Sequence, residues 1–104
     1  MTRLEHRMWR WHVETYGEGV DIPATYRKLC EEVGELGQAL MEKNIDAKAA
    51  KLEAADIGII LNMILKGLDP QGSLSVSMAV KLDMIEQRSM ERRKGAVPTG
   101  GSAD

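Results

Sequence analysis

Apolar residues recur at steps of three and four along most of this chain, and β-branched residues never form the alternating run that a half-buried strand would show. The clearest example is a stripe whose members would share one face of a helix: Tyr26, Leu29, Val33, Leu36 and Leu40. Phe is absent, and Met, Leu, Ala, Glu and Lys, which suit helices, dominate the composition. The pattern predicts an all-α fold, a bundle of about four helices.

The helix boundaries follow from the periodicity, the capping residues and the breaks in the pattern. We predict helices over residues 2–16, 21–43, 47–66 and 74–93. Thr2 and Glu5 have the spacing of a capping box, and Asp46 suits the N-cap of the third helix. The segment 95–104 is rich in Gly, Ser and Ala, which is typical of a disordered tail. The predicted organisation is one domain over residues 1–94 followed by that tail.

Charge and cysteine content narrow the classes of function. The formal net charge is -2, with acids and bases nearly balanced, which argues against a binder of nucleic acid polymers. Cys30 is the only cysteine, so no internal disulfide is possible, and its apolar helix face predicts a core position. The N-terminus lacks the apolar region of a signal peptide, and no apolar run is long enough to span a bilayer. These features predict a cytoplasmic protein without a membrane partner.

The second half of the third predicted helix, residues 57–65, is apolar on nearly every side. Such a helix must be surrounded, and a chain of 104 residues can hardly surround it alone. We therefore expect a second copy of the chain to cover part of it, giving a homodimer or a homotetramer built as a dimer of dimers.

Four acids interrupt the helical pattern in matching pairs. Glu32 and Glu35 flank the apolar stripe of the second helix one turn apart, and Glu53 and Asp56 repeat that spacing on the third. If these two helices pack antiparallel, the pairs can meet in an oxygen-only site, which hard cations such as Mg²⁺ or Mn²⁺ prefer. The alternative is that the acids are solvated and paired with nearby lysines. Asp56 fits that alternative least well, because Asp is a poor interior helix residue.

The acids also carry a family resemblance. Glu31-Glu32-x-x-Glu35, seventeen residues, then Glu53-x-x-Asp56 resembles the E-E-x-x-E…E-x-x-D signature of the MazG-like, all-α nucleotide pyrophosphohydrolases. The resemblance covers residues 4–93 and includes these further elements: Lys28-Leu29, Gly34-Glu35-Leu36, Ala55-Asp56-Ile57, Trp11 with Tyr16-Gly17, and Lys81 with Arg88 as K-x₆-R. One position departs from the pattern, because Ile85 stands where relatives often have Asn.

The resemblance implies a Mg²⁺-dependent enzyme that hydrolyses the α–β bond of a nucleoside triphosphate to a monophosphate and pyrophosphate, in nucleotide-pool cleaning. The implied metal ligands are Glu32, Glu35, Glu53 and Asp56, and Glu31 would be a further ligand, a group that orients one, or a base. The implied substrate contacts are Lys81 and Arg88 to phosphate, Lys28 as a weaker candidate, and Trp9 or Trp11 stacked on the base. Two alternatives stay open: a phosphoribosyl-ATP pyrophosphohydrolase, and a non-enzymatic helical dimerisation module.

Overall fold

The computed structural model describes residues 2–95, and within that range it contains α-helices and no strand. The helices are α1 (Arg3–Tyr16), α2 (Ile22–Met41), α3 (Ala47–Leu68) and α4 (Leu74–Gly95). The all-helical prediction with four helices is therefore confirmed. The predicted disordered tail begins at Gly95, which ends α4, and the rest of it lies outside the described residues. None of the four helices has the combination of length and apolarity that a bilayer crossing requires.

The helix starts follow the local capping chemistry. The Thr2 hydroxyl accepts from the Glu5 backbone N–H at 3.1 Å, and the Glu5 carboxylate accepts from the Thr2 backbone N–H at 3.4 Å, which completes the capping box. Asp21 and Asp46 cap α2 and α3 through the backbone N–H three residues on, at 3.0 and 3.1 Å. The ends are less well predicted, since α2 stops at Met41 rather than residue 43.

The chain divides into two compact units, residues 2–74 and residues 75–95 of the described range. In the first unit α2 packs along α3, and α1 contacts α3 less extensively. The link between α2 and α3 is short, so the two helices run antiparallel. Within the described residues, Ala50 and Met63 are the only hydrophobic side chains that are buried. The first unit therefore has a small apolar core.

Buried polar groups hold the turn after α3 to the start of α1. The Ser73 hydroxyl donates to the Glu5 carboxylate, although the two residues are far apart in sequence. Asn62, whose side chain is 0% exposed, accepts from the backbone N–H of Leu74 at 3.0 Å. These bonds satisfy the Ser73 hydroxyl and the Asn62 side-chain oxygen, whereas Asn62 Nδ2 is buried without a hydrogen-bond partner among residues 2–95.

The apolar stripe of α2 is not buried as its spacing suggested. Tyr26, Val33 and Leu40 are 59%, 50% and 49% exposed. Cys30, expected in the core, is exposed on the same helix. The physical reason is that α3 is the main neighbour of α2, and one neighbouring helix covers only part of a helix's circumference.

Candidate functional site

Three glutamates from two helices converge in the first unit. Glu32 and Glu35 lie one turn apart on α2, and Glu53 lies on α3. One carboxylate oxygen from each of the three lies within 4.8 Å of the others. We call Glu32, Glu35 and Glu53 the glutamate cluster. Its members come from both halves of the acidic pattern, so the pairing of α2 with α3 brings the two halves together as the sequence predicts.

Lys28 compensates part of the cluster's charge. Lys28 Nζ lies 3.1 Å from Glu32 Oε1 and 3.7 Å from Glu31 Oε2. The ion pair with Lys28 lowers the pKa of Glu32, which is buried, and raises the pKa of Lys28. Glu35 has the opposite shift: its hydrogen bond with Glu32 and the charge of Glu32 raise its pKa. The cluster therefore has more negative charge than Lys28 neutralises.

The third glutamate has a buried oxygen that lacks a donor. Glu53 Oε2 is shielded from solvent and has no hydrogen-bond partner among residues 2–95. A shielded carboxylate oxygen without a donor is costly unless a proton or a cation reaches it. Carboxylate oxygens from three residues within such a short distance form the donor set that Mg²⁺ and Mn²⁺ prefer. The residues present therefore fit a hard divalent cation.

The other two acids of the pattern lie outside the cluster. Asp56 is exposed on α3, one turn after Glu53, and lines the groove described next. Glu31 is also exposed, and its ion pair is the one with Lys28. The structure thus brings together three of the four predicted metal ligands. The metal-binding role of Asp56 and the role of Glu31 stay predictions.

A groove of about 1020 Å³ runs beside the cluster between α1, α2 and α3. Its charged lining includes Lys28, Glu32 and Asp56. Much of the remaining wall is apolar or aromatic, and includes these residues: Leu4, Met8, Trp11, Tyr16, Ile59, Ile60 and Met63. A groove lined by both charged and aromatic side chains suits a ligand with a charged group and a flat apolar group.

The two tryptophans have different surroundings. Trp11 lines the groove, and its ring meets that of Tyr16 edge to face, with centroids 5.8 Å apart. Trp9 stacks on His12 at 5.2 Å, and Lys66 Nζ lies 5.7 Å from the centre of its ring. Of the two predicted base-stacking residues, Trp11 is thus the one at the groove, and Trp9 packs against protein groups.

Lys81 and Arg88 lie on α4, in the second unit, and both are exposed. They lie seven residues apart on that helix. Their assignment to phosphate binding stays a prediction.

Sequence reasoning missed four polar residues of the groove: Arg7, His12, Asp21 and Thr25. His12 is buried, and its Nε2–H donates to the carbonyl oxygen of Gly19 at 3.0 Å, which fixes the ring against the α1–α2 link. Arg7 is exposed and lies one turn before Trp11. The spacing of Arg7 from Trp11 could have predicted that both line one face of α1. The contact of His12 could not be predicted in this way, because it depends on the conformation of the α1–α2 link.

Comparisons of the chain with protein-family models, with curated proteins and with solved structures return no match. The chemistry of the site is therefore inferred from its own geometry, from its charges and from the sequence pattern of its acids.

Proposed function

We propose that this chain is a MazG-like, Mg²⁺-dependent nucleotide pyrophosphohydrolase that acts on nucleoside triphosphates in nucleotide-pool cleaning. It would cleave the α–β phosphoanhydride and release a nucleoside monophosphate and pyrophosphate. The observation that supports this most is the glutamate cluster with its donor-less Glu53 oxygen, beside a groove that has an aromatic wall. The order and spacing of the acids along the chain support it further.

In this proposal each residue at the site has a defined task. Glu32, Glu35 and Glu53 hold the cation, and Asp56 extends the ligand set on the groove side. Bound Mg²⁺, or Mn²⁺ in its place, supplies neutralisation of the triphosphate and polarisation of the scissile bond. Lys28 keeps Glu32 ionised and therefore ready to bind a cation.

The groove residues position the substrate. Trp11 offers an aromatic face for the base, since its ring lines the groove rather than the interior. Arg7 can donate to phosphate or sugar oxygens from the same wall. The carboxylate of Asp56 or Glu31 accepts a proton from the attacking water. Catalysis of this kind depends mainly on positioning and on charge stabilisation.

The proposal extends to self-association as a homodimer or homotetramer. The small apolar core and the exposed apolar side chains of the described residues favour a partner surface. The same observation favours the second candidate function, a non-enzymatic helical dimerisation module, which would not need the glutamate cluster to bind a cation.

Turnover of a nucleotide panel tests the proposed reaction. The full chain is incubated with Mg²⁺ and either ribo- and deoxynucleoside triphosphates or phosphoribosyl-ATP, and both products are identified. We expect pyrophosphate and a monophosphate. Release of orthophosphate with a diphosphate left behind would contradict the assigned bond, and turnover of phosphoribosyl-ATP alone would support the alternative of a phosphoribosyl-ATP pyrophosphohydrolase. Absence of both turnover and thermal stabilisation by Mg²⁺ would support the dimerisation module.

Two isosteric variants test the assigned residues. We expect Glu53→Gln and Asp56→Asn to lose turnover by about 10²-fold or more and to bind Mg²⁺ more weakly, because each removes a proposed ligand charge. Their helical circular dichroism should be unchanged. Glu42→Gln, at the exposed C-cap of α2, changes the charge equally outside the cluster and should keep full activity. Activity retained in Glu53→Gln would show that the cluster is not the catalytic centre.

A further inference from the structure

Polar side chains from α2 follow one another along the groove. Glu32 and Lys28 belong to this row, and Thr25 and Asp21 continue it at steps of three and four residues. At 1.5 Å per residue, Thr25 lies about 10 Å from Glu32 along the helix, and Asp21 lies about 16 Å from it. A ligand whose charged group lies near Glu32 therefore reaches Thr25 and Asp21 with its more distant part.

The aromatic side chains of the groove lie close to the start of α2. The Tyr16 ring contacts those of Trp11 and His12, with centroids 5.8 and 5.4 Å apart. His12 in turn bonds to the carbonyl oxygen of Gly19, two residues before Asp21. A flat ring that stacks on Trp11 or Tyr16 therefore has its edge near the first residues of α2.

The α2 side chains at this position can accept hydrogen bonds but have none left to donate. Asp21 Oδ1 accepts from the Ala24 backbone N–H at 3.0 Å, and Oδ2 has no partner among residues 2–95. A carboxylate has no proton to donate. The Thr25 hydroxyl already donates to the carbonyl oxygen of Asp21 at 2.7 Å, so its oxygen can only accept from a ligand. A ligand edge that meets Asp21 and Thr25 must therefore supply the donors.

Phosphate does not suit this part of the groove. The backbone N–H groups at the start of a helix usually attract anions. Here Pro23 has no N–H, and the N–H groups of Ala24 and Thr25 are bonded to Asp21. The Asp21 carboxylate adds negative charge. We therefore expect the phosphates of a nucleotide near Lys28 and the glutamate cluster, and its base near Asp21.

We propose that Asp21 and Thr25 select nucleotides whose base has an exocyclic amino group, those of cytosine, adenine and guanine, over nucleotides of uracil and thymine. The inference rests on the proposed function for the kind of ligand, a nucleotide with its phosphates toward the glutamate cluster. The amino group donates to Asp21 Oδ2, and the Thr25 oxygen can accept from a second donor. Uracil and thymine have a carbonyl oxygen where cytosine has its amino group, so the Asp21 oxygen would face another acceptor.

Cytidine and uridine nucleotides test the proposal, because their rings have the same size and differ at the amino group. Isothermal titration calorimetry of the full-length chain with Mg²⁺ measures the affinity without turnover. We expect dCMP to bind about tenfold more tightly than dUMP, the usual effect of one hydrogen bond. Equal affinities, a preference for dUMP, or binding of neither would overturn the proposal.

Asp21→Asn tests the assigned residue. Asn keeps an oxygen that can cap the Ala24 N–H and places an amide donor where Asp has its second oxygen. We expect the preference for dCMP to be lost or reversed. Asp46→Asn makes the same change at the N-cap of α3, outside the groove lining, and should keep the wild-type preference. An Asp21→Asn variant that keeps this preference overturns the proposal.

Asp21→Ser decides the case if Asp21→Asn fails to fold. Ser caps a helix as well as Asp does but has no second oxygen for the ligand, so the preference for dCMP should be lost. Retention of the preference in Asp21→Ser would overturn the proposal.

Turnover separates this inference from the proposed reaction. Preferential binding of dCMP without release of pyrophosphate from dCTP would contradict the proposed reaction and support the selection of the amino group. Release of pyrophosphate from dCTP and dUTP with equal kcat/KM would support the reaction and overturn that selection.

Discussion

Glu35 is a residue at which the proposed cation binding and the stability of the metal-free chain make opposite demands. Lys28 forms its closest ion pair with Glu32, and the hydrogen bond with Glu32 together with the charge of Glu32 raises the pKa of Glu35. The folded chain thus binds a proton at Glu35 more tightly than the unfolded chain does. This contribution favours folding below the ordinary pKa of Glu and is lost as the pH rises through the raised folded pKa.

We therefore expect Glu35→Gln to raise the melting temperature of the metal-free protein at neutral pH. The gain should disappear in acid, where Glu35 of the wild type is already protonated. Thermal denaturation with a chelator present, across a pH series, measures this. Glu31→Gln removes the same charge outside the cluster and serves as the control. An equal gain at acid pH, or the same gain in Glu31→Gln, would contradict the explanation.

The turn between α3 and α4 depends on one glycine. The Gly72 backbone N–H donates to the Asp69 carbonyl at 2.7 Å, and the Asp69 side chain accepts from the Gln71 backbone N–H at 3.0 Å. A Cβ at Gly72 would lie 2.6 Å from the carbonyl oxygen of Leu65 and 2.8 Å from that of Asp69. Backbone atoms cannot move aside as a flexible side chain can, so the turn has no room for a larger residue.

We expect Gly72→Ala to reduce the free energy of unfolding by about 1–3 kcal/mol, the usual cost of forcing an extra methyl group into occupied space. Gly58→Ala is the matched control, because a Cβ there meets nothing within 4 Å and Ala suits a helix interior better by about 1 kcal/mol. Urea denaturation of both variants measures the difference. A neutral Gly72→Ala would mean that the turn can shift.

Helix starts could be predicted because their causes are local. Thr2, Asp21 and Asp46 each bond to a backbone N–H three residues away, so a short stretch of sequence contains both partners. The surroundings of the α2 stripe could not be predicted in the same way. The spacing of Tyr26 and Val33 shows that they share a face, but what covers that face depends on packing partners.

The same distinction between local causes and packing partners explains which parts of the candidate site could be predicted. The convergence of Glu32 with Glu53 followed from the helical period and a short link, both of which the sequence contains. The position of Asp56 at the groove, outside the cluster, depends on how far α3 is rotated against α2. The His12 ring is held by its hydrogen bond to the carbonyl oxygen of Gly19 in the α1–α2 link. A contact of this kind cannot be predicted from the helical periodicity of the sequence.

For the molecule as a whole, stability should depend on protein concentration. Ala50 and Met63 are the only buried hydrophobic residues in the described range, and a core that small stabilises a fold weakly. If copies associate, mass action adds stability as the concentration rises. We expect the melting temperature of the wild type to fall on tenfold dilution. A melting temperature of the wild type that does not change on dilution would contradict this expectation.

The bond between Ser73 and Glu5 has a consequence for how the first unit could be used. Ser73 lies next to the last residue of the first unit, and Glu5 lies in the first turn of α1. Because these two residues are in contact, the two ends of the first unit lie close together. A segment with adjacent ends can be inserted into a surface loop of a host protein without a spanning linker. The first unit is therefore suited to transplantation as an insert, which would carry the glutamate cluster into another scaffold.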